Sequence, residues 1–231
     1  MKAVILVGGK GKRLRPYTYV FPKPLLPING KPILEIILTK LKNQGINEII
    51  LATNYKSSLL EIFFSDGSDL GVDIKYSKEE NSLGTVGPLK LIEDNLKGDF
   101  IVMNGDVLTD LDIKKLIEYH KKNSSDITVV TKNIDIPLDY GMVKTEENKV
   151  IGWREKPSLS SEISTGIYIL NSSVLKYIPK DQKYDMPDLI EKVIKLGGNV
   201  LKFSYDGKWI DIGRIEDYKK VQNEELKQFE E

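Results

Sequence analysis

Apolar and polar positions follow two alternating rhythms over the first two-thirds of the chain. Lys2 to Val7 is almost continuous in apolar β-formers, as expected of a strand buried on both faces. The next apolar pattern is helical. After Pro32, a suitable helix opener, Ile33, Ile36, Ile37 and Leu41 share one face, and Gly45 ends the run. Strand and helix then take turns. Glu48 to Ala52 predicts a strand, Lys56 to Ser65 a helix, Val72 to Ser77 a strand, Thr85 to Leu96 a helix and Phe100 to Met103 a strand. Asp112 suits the N-cap of a further helix, ahead of a strand from Ile127 to Thr131. This order predicts a parallel sheet with helices on both faces, whose ligands bind beyond the carboxyl ends of the strands.

From about residue 140 the rhythm breaks up. Short strands are predicted at Met142 to Lys144, Val150 to Trp153 and Thr165 to Leu170. Helices are predicted near Ser172 to Tyr177 and Asp185 to Leu196, and a last one from Ile215 to Phe229. The tail Glu224 to Glu231 reads as a frayed, solvated helix end. With no Pro/Gly/Ser-rich linker, low-complexity tract or repeat, residues 1–231 read as one domain. Its first part is 1–139; its second, 140–231, covers one end of the sheet.

Composition removes several classes of function. The 34 basic and 34 acidic residues balance, without the basic excess that nucleic-acid binding requires. A local basic cluster must then serve something smaller, such as a nucleotide. No cysteine is present, which excludes disulfides, zinc thiolates and thiol catalysis. The single histidine, His120, follows Ile113, Leu116 and Ile117 at helical spacing and is expected at the edge of a core-facing stripe. The apolar run Ala3 to Val7 falls short of the roughly 7 residues of a signal core. No stretch approaches the about 20 apolar residues of a membrane span. A cytoplasmic protein without membrane contact is the expectation.

Candidate chemistry gathers where strands end. Gly8-Gly9-Lys10-Gly11-Lys12-Arg13-Leu14-Arg15-Pro16 follows the first strand, and a glycine loop there lets backbone N–H groups approach phosphate. It is neither a P-loop in any register nor a dinucleotide fingerprint, since Leu14 takes the last glycine position of a motif starting at Gly9. In Pro22-Lys23-Pro24, two prolines fix the backbone around a lysine that can place charge on a phosphate or simply stiffen a surface loop. Asn104-Gly105-Asp106 ends a strand in a turn, where Asp106 can offer a carboxylate to Mg²⁺. Asp110-Leu111-Asp112 spells the D-x-D of metal-dependent glycosyltransferases, although helix capping accounts for Asp112. In Trp209-Ile210-Asp211-Ile212-Gly213, Asp211 is either a helix cap or a second metal ligand. In Glu155-Lys156-Pro157, neighbouring side chains on a strand point apart, one towards hydroxyls and one towards phosphate, or form a surface pair.

In this order, and together with Leu83-Gly84-Thr85, Tyr140-Gly141 and Thr165-Gly166, these segments resemble the sugar-phosphate nucleotidyltransferase family over nearly the whole chain. The resemblance implies a Rossmann-like three-layer α/β fold of the GT-A-like type, with a mostly parallel mixed sheet. Residues 1–139 would bind nucleotide and 140–231 sugar. Leu6, Gly8, Gly9, Gly11, Lys12, Arg13, Lys23, Gly84, Thr85 and Asp106 would bind the nucleotide. Arg13, Lys23 and Asp106 would be catalytic, and Asp106 and Asp211 would share Mg²⁺. Gly141, Glu155, Thr165 and Gly166 would meet the sugar, with Lys156 on its phosphate.

The implied reaction joins a nucleoside triphosphate to a sugar 1-phosphate and releases pyrophosphate. Lys12 departs from the family, which commonly has threonine there. No appended β-helix follows the last helix, which argues against a second acetyltransferase activity. Leu6-Val7-Gly8-Gly9, Leu83-Gly84-Thr85, the Tyr184 to Leu189 segment and Asp211 to Arg214 look like guanylyltransferases of mannose, heptose or glucosamine 1-phosphate. Thymidylyl, uridylyl or cytidylyl transfer stays open, as does a glycosyltransferase using Asp110 and Asp112; the retained Arg13, Lys23, Asp106, Lys156 and Asp211 speak against a non-catalytic regulatory subunit. Relatives often self-associate, so a homodimer is expected.

Overall fold

The computed structural model describes residues 1–54, 56–223 and 227–230. Strand β1 (Lys2–Leu6) alternates Ala3 and Ile5 towards one core with Val4 towards the other. Two short paired strands, β2 (Pro27–Ile28) and β3 (Lys31–Pro32), lead into helix α1 (Ile33–Asn43), with Pro32 at its N-cap. Then come β4 (Glu48–Thr53), α2 (Ser57–Phe64), β5 (Asp73–Lys78), α3 (Gly87–Leu91) and β6 (Asp99–Asn104). The single helix predicted over Thr85 to Leu96 is instead α3 and a separate 3-10 turn at Glu93–Asn95. Thr85 stays outside it because Asp185 takes its N–H and its hydroxyl accepts from Met186 N.

After β6 the chain turns through Gly105 and Asp106 into β7 (Val107–Thr109) and then α4 (Ile113–Lys122). Asp112 caps α4 by accepting from Lys115 N at 3.0 Å. Two long strands follow, β8 (Ile127–Pro137) and, after the hairpin of β9 (Met142–Glu146) and β10 (Lys149–Arg154), β11 (Ser158–Asn171). Ser172–Tyr177 is a 3-10 helix, and α5 (Met186–Lys195), β12 (Val200–Ser204), β13 (Trp209–Asp211), α6 (Ile215–Val221) and α7 (Lys227–Glu230) complete the fold.

The main sheet has the order β12-β8-β11-β6-β1-β4-β5, and only β11 runs against the others. It is a mostly parallel mixed sheet between two helical layers. One core packs α1, α2, α4 and Phe229 of α7; the other packs α3, α5 and the 172–177 turn. β8 and β11 continue beyond the sheet as an exposed ribbon, pairing from Thr131↔Ser164 to Pro137↔Ser158, and the β9–β10 hairpin lies between them in sequence. We call residues 132–164 the arm.

The last helix expected over Ile215 to Phe229 is two helices, and the solvated tail is corrected where it is described. Glu224 to Leu226 and Glu231 lie outside the described residues. Phe229 is 1% exposed in the core, and Glu230 pairs with Lys31 at 2.5 Å. Burying a phenylalanine stabilises by about 1.5–3 kcal/mol, enough to dock a four-residue helix. Among the described residues, no helix is long and apolar enough to cross a membrane.

Candidate active site

Three strand ends meet beyond β1. Leu6 lies beside Ala52 of β4 and Asn104 of β6, so the Gly8-Gly9 turn and the Asn104-Gly105-Asp106 turn leave the sheet together. Gly105 N–H donates to Leu6 O at 3.0 Å. A Cβ at Gly105 would stand 2.4 Å from Val7 Cγ1 and 3.0 Å from Leu6 O, so a side chain there would push Asp106 away from the glycine turn.

Asp106 accepts from Lys23 Nζ through Oδ2 in a short ion pair, while its Oδ1 is buried without a partner. Lys23 is held by its own 3-10 turn, Lys23–Leu25, closed by Leu26 N–H on Lys23 O. Asp211 sits in β13, which pairs with β7 so that Asp211 stands opposite Val107 and Ile212 N–H donates to Asp106 O at 3.0 Å. Burial and the nearby Asp106 push the Asp211 carboxyl up, and Lys23 and Arg13 partly offset them. Arg13 lies against Gly213, where a Cβ would come within 3.4 Å of its Nη2. The capping alternative for Asp211 fails, because the N-cap of α6 is Arg214.

A cavity of about 360 Å³ opens beside this cluster. It is lined by the sequence candidates Leu6, Gly8, Gly9, Gly84, Thr85 and Asp106. Gly84 has φ +82, and a Cβ there would lie 2.6 Å from both Asp185 Oδ1 and Tyr184 O. The 83–85 loop can therefore close on 184–186 only through glycine.

Glu79, Asn104, Lys183 and Asp185 line the same cavity; none of them has a role assigned from sequence, although Asn104 and Asp185 lie in segments marked there. Glu79 directly follows β5, so the strand-end rule could have found it. Burial pushes its carboxyl up, partly offset by Leu83 N–H, which donates to Oε2 at 2.7 Å. Its Oε1 would stand 3.2 Å from a Cβ on Gly8. Asp185 accepts from Thr85 N at 2.9 Å and holds the loop shut.

The remaining candidates divide. Gly11 opens the turn that carries exposed Lys12 and Arg13, and its carbonyl accepts from Thr18 Oγ1. Gly166 packs against Asn104, which lines the cavity, with φ +77 and a would-be Cβ 2.5 Å from Asn104 Nδ2. Thr165 is 1% exposed; its hydroxyl donates to Val130 O and its carbonyl accepts from Trp209 Nε1, so its polar groups are used within the fold. Gly141, Glu155 and Lys156 belong to the arm and do not line the cavity.

Glu155 and Lys156 lie beyond the end of β10, Lys156 at φ +42, which corrects the expectation of alternating strand positions. Glu155 instead accepts from Trp153 Nε1 at 3.0 Å. Asp110 accepts from Lys208 N and from the Tyr205 hydroxyl, and Asp112 caps α4, so the D-x-D carboxylates serve structure. His120 lies not at the edge of a stripe but fully inside, 1% exposed.

The family model described as nucleotidyl transferase matches residues 2–228. The chain belongs to the nucleotidyl transferase family. It is 37% identical over 238 residues to a UTP–glucose-1-phosphate uridylyltransferase of Synechocystis, covering 94% of this chain and 61% of that protein. It is 36% identical over 222 residues to a mannose-1-phosphate guanylyltransferase of Mycobacterium tuberculosis, covering 94% and 62%. The chain thus spans about three-fifths of the length of these curated relatives. The crystal structure of HddC from Yersinia pseudotuberculosis complexed with GMP-PN superimposes with a TM-score of 0.76 at 29% identity, covering 96% of this chain and 97% of that one. The chain thus shares its overall fold with that structure.

Proposed function

We propose that this chain is a sugar-1-phosphate nucleotidyltransferase that uses GTP and Mg²⁺. The observation that carries the reading is the meeting of Asp106 and Asp211 with Lys23 and Arg13 beside the Gly8-Gly9 turn and a nucleoside-sized cavity. The donor set fits Mg²⁺, which binds through one or two carboxylates and completes its shell with water and substrate phosphate. The buried, unpartnered Asp106 Oδ1 is an atom such a cation would satisfy. When bound, the ion neutralises charge on the triphosphate.

The rest of the chemistry falls to the chain. A phosphate oxygen of the sugar 1-phosphate forms a bond to the α-phosphorus, the bond from that phosphorus to the bridging oxygen breaks, and pyrophosphate leaves with the electron pair. The attacking oxygen is already ionised, so no side-chain base is needed. The barrier is the approach of two anions, which Arg13 and Lys23 lower by charge and the glycine turn by position. Lys156 supplies charge to the sugar phosphate once the arm meets substrate.

Glu79 supports guanine as the base. A carboxylate only accepts hydrogen bonds. The Watson–Crick edge of guanine offers two adjacent donors, whereas uracil and thymine present one donor between two acceptors. The sugar class favoured by the sequence is mannose, heptose or glucosamine 1-phosphate. Pyrophosphate release from the four NTPs crossed with a panel of sugar 1-phosphates tests the reading. GTP with one of these sugars should give the highest kcat/KM. Release of nucleoside diphosphate from an NDP-sugar, or no turnover with any pair, overturns it.

A further inference from the structure

At the opposite end of the sheet, where β6 and β8 begin, a second pocket of about 380 Å³ is lined in part by Asp99, His120, Ser125, Asp126 and Asn171. None of these residues takes part in the transfer reaction. Two side chains facing this pocket are deeply buried yet incompletely bonded: His120, 1% exposed, has no hydrogen-bond partner for Nε2, and Ser125, 5% exposed, has none for Oγ. Buried polar atoms without partners cost free energy and call for a ligand.

We propose that this pocket binds a divalent transition-metal cation through His120 Nε2 and the Asp99 carboxylate. His120 Nε2 and Asp99 Oδ1 are 3.5 Å apart. Two N/O ligands of one tetrahedral ion stand roughly 3.4 Å apart, so both can ligate it with little movement. Each ligand is oriented by another residue. His120 Nδ1 lies 2.7 Å from Thr128 Oγ1, and with the proton on Nδ1 the ring presents its lone pair at Nε2. Asn171 Nδ2 donates to Asp99 Oδ1 at 2.7 Å.

Burial lowers the ring's pKa, with Asp99 and Asp126 opposing it in part, and so favours the neutral form that ligates a metal. The local field is that of a cation site. Asp126 adds a second carboxylate, and α4 ends here at Lys122 with the negative end of its dipole. Exposed Lys121, at the rim, opposes it in part. No third His, Cys, Asp or Glu converges as a ligand among the described residues, so water completes the shell, and the unpartnered Ser125 Oγ lines the same pocket. A nitrogen ligand favours zinc-like ions over Mg²⁺, which separates this site from the aspartate pair at the far end.

His120 is the only imidazole in the chain, so its ¹⁵N resonances report the site without ambiguity. Zn²⁺ alone is titrated into the full chain in the presence of excess Mg²⁺. The expected result is saturable one-to-one binding that moves the Nε2 resonance and leaves Nδ1 protonated. Asp99→Asn keeps the acceptor for Asn171 and should weaken Zn²⁺ binding roughly tenfold or more. An Nε2 signal unmoved at saturating Zn²⁺, or Asp99→Asn binding as tightly as the parent, overturns the proposal. Neither readout involves turnover, so the outcome stands apart from the transferase reading.

Discussion

Gly8 and Asp106 hang from β1 and β6, strands hydrogen-bonded on both sides, whereas Gly141, Glu155 and Lys156 hang from a two-stranded hairpin in which every residue of β9 is exposed. At the sheet end, backbone bonds such as Ile212 N–H to Asp106 O fix the donors before any ligand arrives. On the arm, Tyr140, Val150 and Trp153 stay 63–81% exposed, and beside Lys156 the bonds are to the arm itself: Leu138 N–H to Pro157 O and Trp153 Nε1 to Glu155. Under the proposed function, the rigid end would hold the groups that any nucleoside triphosphate needs, and the arm would hold those that meet the sugar phosphate. The contrast teaches that turnover should depend on the first region and sugar binding on the second.

The sharpest way to break this comparison is to neutralise the aspartates. Asp106→Asn and Asp211→Asn should each lower kcat by orders of magnitude while thermal unfolding stays near that of the parent, because both side chains are polar cleft groups rather than core. Near-normal turnover of both variants with Mg²⁺ would remove the metal assignment.

The next effect is smaller and concerns the base. Glu79→Gln exchanges an acceptor-only group for one that both donates and accepts. A hydrogen bond to a charged group contributes about 1.5–3 kcal/mol, so kcat/KM for GTP should fall roughly 10- to 100-fold while that for UTP or dTTP rises. An unchanged ratio of GTP to UTP would place base selection elsewhere in the cavity.

The sheet end was legible in sequence for a physical reason. Buried parallel strands are continuous in apolar residues, and the residues just past them must serve ligands, which located Gly8, Gly9 and Asp106. The arm was not legible. Ser158 to Ser164 is mainly polar and exposed, and the alternation of Ile134 and Ile136 with Asn133 and Asp135 is short and ends at Pro137, so both long strands read as short. β12, an edge strand in which Leu201 and Phe203 alternate with exposed Lys202 and Ser204 over only five residues, was also missed. Glu79 escaped because a lone polar residue carries no motif; Asn104 and Asp185 lie in segments the sequence marked but without a role of their own. Only the closing of 184–186 onto Thr85 brings the last of these to the cavity. Thr165 illustrates the converse: the resemblance singles it out, yet its hydroxyl bonds Val130 inside the sheet.

Lys156→Ala probes the arm and should act on one substrate only. Lys156 is exposed, so the expected change is roughly a fivefold rise in KM for the sugar 1-phosphate. KM for GTP and the melting temperature should not move. An equal rise in both KM values would show that the arm and the sheet end act as one unit.

The smallest effect near neutrality is a pH dependence of nucleotide binding, and its sign is fixed by Glu79. Burial raises this carboxyl above its ordinary value of 4.5. Guanine donors need the ionised form, so affinity for GTP is complete above the raised value and falls as pH drops through it. The loss should therefore begin at a higher pH than for an ordinary glutamate. Folding responds in the opposite sense. A carboxyl whose folded pKa lies above its unfolded one binds more protons in the folded state, so its contribution to stability improves as pH falls through that window. A rise in KM for GTP on mild acidification, with no parallel drop in melting temperature, is then recognition failing rather than the sheet opening. In Glu79→Gln that rise should vanish. If it persists, another titrating group controls the nucleotide, and the separation between base pocket and phosphate cluster must be redrawn.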